Sequence, residues 1–134
     1  MKRMESARAP ATPPARVLIV DDEPLFMEMV EVMLDAEEDI ELVGKARNGK
    51  EAVSLACKLD PDLIVMDISM PVMDGINATR EIRAQDPKAN VLILTGGSSI
   101  AEIDQARKAG AAGYLTKDRI ASDLLVEIRG LAAK

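Results

Sequence analysis

Short apolar runs alternate with helical patterns along this chain, about every ten to fifteen residues from Val17 onward. The runs are VLIV (17–20), ELVGKA (41–46), LIVM (63–66), VLIL (91–94) and GYLT (113–116), each long enough for one buried strand. The first intervening helix begins near Pro24, a residue suited to the first helical turn. Phe26, Met29, Val30 and Met33 give it an apolar face, its outer side reads as acidic, and DAEED ends it. Asn48-Gly49 reads as a turn pair able to take positive φ. It is followed by Ala52, Leu55, Ala56 and Leu59 on the inner side of a second helix, which stops at Asp60-Pro61. Gly75, Ala78, Thr79 and Ile82 mark a third, closed by Asp86-Pro87. The fourth, Ser99 to Ala109, offers only Ile100, Ile103 and Ala106, so it is expected to be the least firmly packed and the part most able to move. Ser122 is the candidate cap of a last helix striped by Leu124, Leu125, Ile128 and Leu131.

Strands apolar on both faces need helices on both sides. With right-handed crossovers the expected fold is therefore α/β, five βα units forming a three-layer sandwich around a parallel sheet. Residues 1–15, MKRMESARAPATPPA, are Ala/Pro-rich without periodicity and are expected to form a disordered extension ahead of one domain over 16–134.

Composition narrows the function. The 134 residues suffice for one core, built almost without aromatics. A net charge of −6 with no Lys/Arg cluster argues against direct nucleic-acid binding. No run approaches the ~20 apolar residues of a membrane span, and the N-terminus has no hydrophobic centre, so no membrane association and a cytoplasmic location are expected. The single cysteine, Cys57, cannot form an internal disulfide and is expected to fill a small apolar core position. Histidine is absent, which excludes a Ser-His triad and a His-ligated zinc site.

The remaining chemistry lies where the apolar runs end. Asp21 and Asp22 follow the first, Asp67 the third, Thr95 the fourth and Lys117 the fifth. In a parallel sheet these residues gather at one edge, where ligands of such folds bind. Converging carboxylates repel one another unless a cation intervenes, and a hard divalent ion such as Mg²⁺, which takes oxygen ligands and keeps water, fits Asp22 and Asp67 with Asp21 acting directly or through water. Asp67 then becomes a candidate nucleophile toward phosphorus. Lys117 and Thr95 could receive phosphoryl oxygens, with Gly96 and Gly97 leaving room beside them. Singly, each residue has an ordinary reading as helix-end charge, turn, solvated lysine or strand threonine. Their joint occurrence in this order is the informative observation.

The segments VLIVDDEP, DISMPVMDG, LTGG and GYLTKD, in this order and spacing, resemble the receiver domain of two-component response regulators, over Val17 to Lys134. The resemblance implies a flavodoxin-like fold with strand order 2-1-3-4-5. It implies Asp67 as phospho-acceptor, Asp21 and Asp22 as an acidic pair binding Mg²⁺ together with Asp67 and the backbone carbonyl of Ser69, and Thr95, Gly96 and Lys117 around the phosphate. Thr95 and Tyr114 occupy the places of a switch pair acting on residues 99–118, and Pro71 and Gly75 those of the turn after the acceptor. The implied donor is a phosphohistidine on a sensor histidine kinase or phosphotransfer protein, and the implied readers are a downstream effector or output domain.

The AGYLTKD ending is similar to the NarL/FixJ-type subgroup, whose members usually continue into a helix-turn-helix domain. A stand-alone receiver and a piece of a transcription factor both stay open. A homodimer on phosphorylation, through helices one and five or four and five, is a further implied assembly, although the outward faces show no obvious apolar seam in the sequence. Asp118 stands where many receivers have proline, so a cis peptide there is not expected. Among rivals, an aspartate-nucleophile phosphatase of the haloacid-dehalogenase kind would want a second Asp where Ser69 stands. A flavodoxin would want a Ser/Thr-rich loop in place of Asp21-Asp22-Glu23. A degenerate receiver would lack one of the marked side chains.

Overall fold

The computed structural model describes residues 13–97 and 99–132. The expected extension therefore lies mostly outside the described residues. Five strands, β1 (Ala15–Val20), β2 (Ile40–Ala46), β3 (Leu63–Asp67), β4 (Val91–Thr95) and β5 (Gly113–Thr116), form one parallel sheet in the order β2-β1-β3-β4-β5. Between and after them run α1 (Pro24–Asp35), α2 (Gly49–Leu59), α3 (Gly75–Gln85), α4 (Ile100–Ala109) and α5 (Ile120–Ala132), the last preceded by a short 3-10 turn over Lys117–Arg119. The expected class and strand order are those observed. β1 starts at Ala15, two residues before its apolar run, because Ala15 N–H donates to Asp39 O at 2.9 Å and extends the pairing with β2.

The period-two pleat divides the core in two. Val17, Ile19, Leu63, Val65, Leu92 and Leu94 point to one face and pack with Val30 and Leu34 of α1 and Leu124 and Ile128 of α5. Leu18, Val20, Ile64, Met66, Val91 and Ile93 point to the other, against Ala52 of α2, Ala78 and Ile82 of α3 and Ala106 of α4. This is why β3 and β4 carry no polar residue until their carboxyl ends. At those ends, Asp67 follows the parity of Leu63 and Val65, the α1/α5 face, whereas Thr95 follows Val91 and Ile93.

Several local expectations are corrected. Asn48 is not in a positive-φ turn; it is extended (φ −156°) and caps α2, its side chain accepting from Glu51 N–H at 2.9 Å. The left-handed residue is Asp60 at the other end of α2 (φ 48°). Ser122 does not cap α5, because the 3-10 turn starts the helical path earlier and leaves Ser122 inside it, its hydroxyl donating to Arg119 O. Cys57 is exposed rather than in the core, since α2 buries its Ala52 side and Cys57 falls outside that face.

On α1 the buried face runs through Met27, Val30 and Leu34, with Phe26 and Met33 only partly buried and Met29 exposed. The outer side of α1 is accordingly not simply acidic. Leu25, Met29 and Val32 are all exposed at helical spacing and form the apolar seam that the sequence did not reveal. α4 is lightly packed, as expected: it buries only Ala106 and Ala109, while Ile100 lies in solvent.

The start of α3 is fixed by a close approach. A Cβ on Gly75 would stand 2.2 Å from Asp67 O, whereas one on Gly96 would meet nothing within 4 Å. Gly75→Ala is therefore expected to lower stability by about 2 kcal/mol or more, the scale of forced overpacking against backbone, while Gly96→Ala changes it by less than about 0.5 kcal/mol. Urea unfolding of the two variants checks this; equal effects would mean that the β3–α3 loop is not fixed as described.

Candidate functional site

The carboxyl edge of the sheet brings together four of the marked side chains. β1 ends one residue before Asp21, whose side chain is fully buried and whose Oδ1 accepts from Glu23 N–H at 2.8 Å. Asp22 is exposed beside it. Asp67 closes β3 and is buried. One oxygen from each of Asp21, Asp22 and Asp67 lies within 4.8 Å of the others. Lys117 enters from the end of β5 with its side chain 22% exposed, its Nζ 2.9 Å from Asp21 Oδ2, 3.5 Å from Asp67 Oδ1 and 3.7 Å from Glu23 Oε1.

This crowding shows in the titration of the groups. The Asp67 carboxyl is pushed up to about 6, first by burial and then by the Asp21 charge, against the opposing pull of Lys117 and a long 3.4 Å hydrogen bond from Ser69 N–H. Burial is also the largest influence on the Lys117 amine and works to lower it. The Asp21 carboxylate, followed by Asp67 and Glu23, outweighs that and raises the amine above its ordinary value.

One lysine does not satisfy the cluster. Asp21 Oδ2 is buried with the ammonium nearby, yet it receives no well-aligned hydrogen bond. Such an orphaned anionic oxygen among three carboxylates fits a hard cation, and the donor set, all oxygen with neither histidine nor thiol, suits magnesium rather than zinc or copper. A groove of about 520 Å³ beside Asp21 and Asp22 has room for coordinated water.

The loop after Asp67 is tight. Val72 takes φ 70°, which a β-branched residue rarely adopts, and Met73 N–H donates to Pro71 O at 2.7 Å. Gly75 N–H returns to Ile68 O at 3.0 Å, and Asp74 caps α3 through Asn77 N–H. Among the described residues no peptide bond is cis, the one after Lys117 included.

Thr95 and Tyr114 are not brought to the carboxylates. Thr95 is buried at the end of β4, but its hydroxyl donates to Gly97 O at 2.7 Å and accepts from Gly97 N–H at 3.2 Å. That N–H is thus committed to Thr95 rather than free to face an anion, while the space around Gly96 and Gly97 is open as expected. Tyr114, on β5, is 46% exposed.

Two neighbours of Lys117 had escaped sequence reading. Glu23 sits at the N-cap of α1 without capping it, and the Phe26 ring lies beneath the ammonium, 4.4 Å from Nζ to its centroid. Their three-residue spacing on one helix side was the only signal available.

With this geometry, the response regulator receiver domain family matches residues 17–129. The regulator PdtaR of Mycobacterium tuberculosis is 45% identical over 121 residues, 90% of this chain and 58% of that protein. The nitrate/nitrite response regulator NarL of Escherichia coli is 35% identical over 120 residues, 90% of this chain and 56% of that protein. The solved receiver domain of a NarL-type regulator from M. tuberculosis superposes with a TM-score of 0.86 at 31% identity, covering 90% of this chain and 98% of that one. The chain spans a little over half the length of these two curated relatives. Fold, acidic edge and sequence agree, and the chain belongs to the response regulator receiver domains of two-component signalling.

Proposed function

We propose that Asp67 is the phospho-acceptor of a cytoplasmic signalling switch. The supporting observation is the convergence of Asp21, Asp22, Asp67 and Lys117 at the carboxyl edge of the sheet. An Asp67 oxygen attacks the phosphorus of a phosphohistidine on a partner histidine kinase or phosphotransfer protein. The new bond is an acyl phosphate, the P–N bond breaks, and its electron pair stays on the imidazole. Asp21, Asp22 and Asp67, with the Ser69 carbonyl, would hold Mg²⁺, which when bound screens the incoming charge and aligns the phosphoryl group. Lys117 neutralises the acceptor and then the phosphoryl oxygens. The chain is modified once per cycle and does not turn over an external phosphate ester.

The phosphoryl group adds negative charge and acceptor oxygens next to Gly96 and Thr95. A Thr95 hydroxyl released from Gly97 can turn to it, and Tyr114, now exposed, can move into the space vacated. Residues 99–118, with loosely packed α4, are the surface that responds, a bias between two states of about 1 to 3 kcal/mol read by an output domain or effector. Since relatives about twice as long carry regulator names, a fused transcriptional output is the second reading, with the DNA contacts outside these residues. Phosphorylation-dependent homodimers would use α1 with α5, or α4 with α5.

Three outcomes follow. Intact-mass analysis after incubation with acetyl phosphate should show one added phosphoryl group that requires Mg²⁺ and is lost in Asp67→Asn; modification of both proteins alike would displace Asp67 as acceptor. Mg²⁺ should raise the melting midpoint by relieving carboxylate repulsion, and much less so in Asp21→Asn, as differential scanning calorimetry would record. Without metal, folded Asp67 titrates near 6 against an ordinary value of 3.8, so the folded state binds the proton more tightly. Its contribution to stability is then present at low pH and lost as pH rises from about 4 through 6. Asp67→Asn should therefore stabilise the metal-free protein by about 1 to 2 kcal/mol at pH 7.5, below the full linkage value because Lys117 and water at the mouth moderate the charge, and by almost nothing at pH 4. Urea titrations at the two pH values decide it, an equal gain at both being the contrary result.

A further inference from the structure

We propose that Phe26 is a positioning residue for Lys117: the face of its ring holds the ammonium at the acceptor carboxylate. The inference rests on the reading of Asp67 as phospho-acceptor and extends it to a residue of α1 with no polar atom of its own.

Lysine is a poor candidate to stay where it is placed. Its four-carbon stem is flexible and its ammonium is strongly hydrated. At this edge the ammonium has four neighbours: Asp21 Oδ2 at 2.9 Å, Asp67 Oδ1 at 3.5 Å, Glu23 Oε1 at 3.7 Å and the Phe26 centroid at 4.4 Å. The nearest is Asp21, not Asp67. Glu23 is largely solvated, so its pull is weak and screened. A cation held by the carboxylates would compete for Asp21 Oδ2 and free the amine from its shortest contact. Of these four neighbours the ring face is then the one that neither metal nor water can take over.

An ammonium within about 6 Å of an aromatic centroid is attracted by the negative face of the ring, the more so when partly withdrawn from water, as Lys117 is. Packing alone accounts for the ring's partial burial beside the α1/α5 core. It does not account for a cation above its face. Glu23 and Phe26 are three residues apart, so the first turn of α1 presents both to the amine together. The start of α1 thus sets the lysine that enters from β5.

The chain offers a clean test, because Phe26 is its only phenylalanine. Growth on fluorinated phenylalanine alters this ring alone, and 3,4,5-trifluorination removes most of the negative charge of the face with little change in bulk. Phosphorylation of Asp67 by acetyl phosphate at saturating Mg²⁺ would be timed by intact mass for the wild type, the trifluoro protein and Phe26→Leu, with melting midpoints and Mg²⁺ affinity measured alongside. The expected result is a rate constant about two- to fivefold lower on trifluorination and about three- to tenfold lower in Phe26→Leu, with the midpoint of the trifluoro protein and its Mg²⁺ affinity unchanged. The ¹⁹F resonance of 4-fluorophenylalanine at this position should also shift on Lys117→Met.

A trifluoro protein reacting at the wild-type rate, or slowed only as far as its midpoint falls, overturns the proposal and leaves Phe26 as packing. An unmoved ¹⁹F signal in Lys117→Met overturns the contact itself. If the wild type gains no phosphoryl group at Asp67, the reading of the site fails and this role in the reaction fails with it; a normal wild type indifferent to ring chemistry sinks the present inference alone.

Discussion

Repulsion among Asp21, Asp22 and Asp67 is the constraint around which the rest of this molecule is arranged. Two like charges at the 4.8 Å limit of this cluster repel by roughly 3 to 4 kcal/mol at an effective dielectric near 20. That is a large part of the stability of a domain this size. The chain tolerates it because the two core clusters on either side of the sheet hold β1 and β3 side by side regardless of what their ends carry. Strand pairing fixes Val20 beside Met66, and the next residues in each strand are the carboxylates. Lys117 and the proton affinity of Asp67 absorb part of the strain; the rest is left for a ligand.

The same pleat that builds the core separates the two halves of the site. Asp67 and Asp21 follow residues of the α1/α5 face, and their cationic neighbour comes from the loop into α5, with Phe26 of α1 beneath it. Thr95 follows the residues of the α3/α4 face and is tied to Gly97, at the entrance to the least packed helix. Charge therefore gathers on one side of the sheet, and Thr95, the proposed switch residue, lies on the other. On the proposed reading, a group added to Asp67 is felt across β4 because it stands between them.

Much of this was legible in the chain. A parallel strand buried on both faces stays apolar until it leaves the core, so the first polar residue after its apolar run marks the carboxyl edge: Asp21, Asp67 and Thr95 were placed by that rule, and Lys117 by its place just after the last apolar run. Helix faces were harder. PLFMEMVEVML offers apolar residues at almost every angle, and only the sheet decides that Met27, Val30 and Leu34 turn inward while Leu25, Met29 and Val32 turn out. Cys57 and Ser122 were misread for related reasons: an apolar type proved no guarantee of burial, and a good capping residue can fall inside a helix whose true start is set by the turn before it. The contact of Lys117 with Phe26 joins residues ninety-one positions apart and has no local signature.

An electrostatically frustrated site also carries thermodynamic information about its own use. Any ligand that neutralises the carboxylates stabilises the folded chain, and the free energy released on filling the site is drawn from what repulsion withholds from the empty one. On the proposed reading the same reciprocity couples the surface reached through Thr95 and α4 to affinity at Asp67 by an equal amount. A site already relaxed by a full complement of internal cations would bind metal and phosphate weakly and transmit little. One flexible lysine is shared among three acidic side chains above an aromatic ring, so the site is under-neutralised, and on the proposed reading a divalent cation closes that margin and a phosphoryl group reopens it.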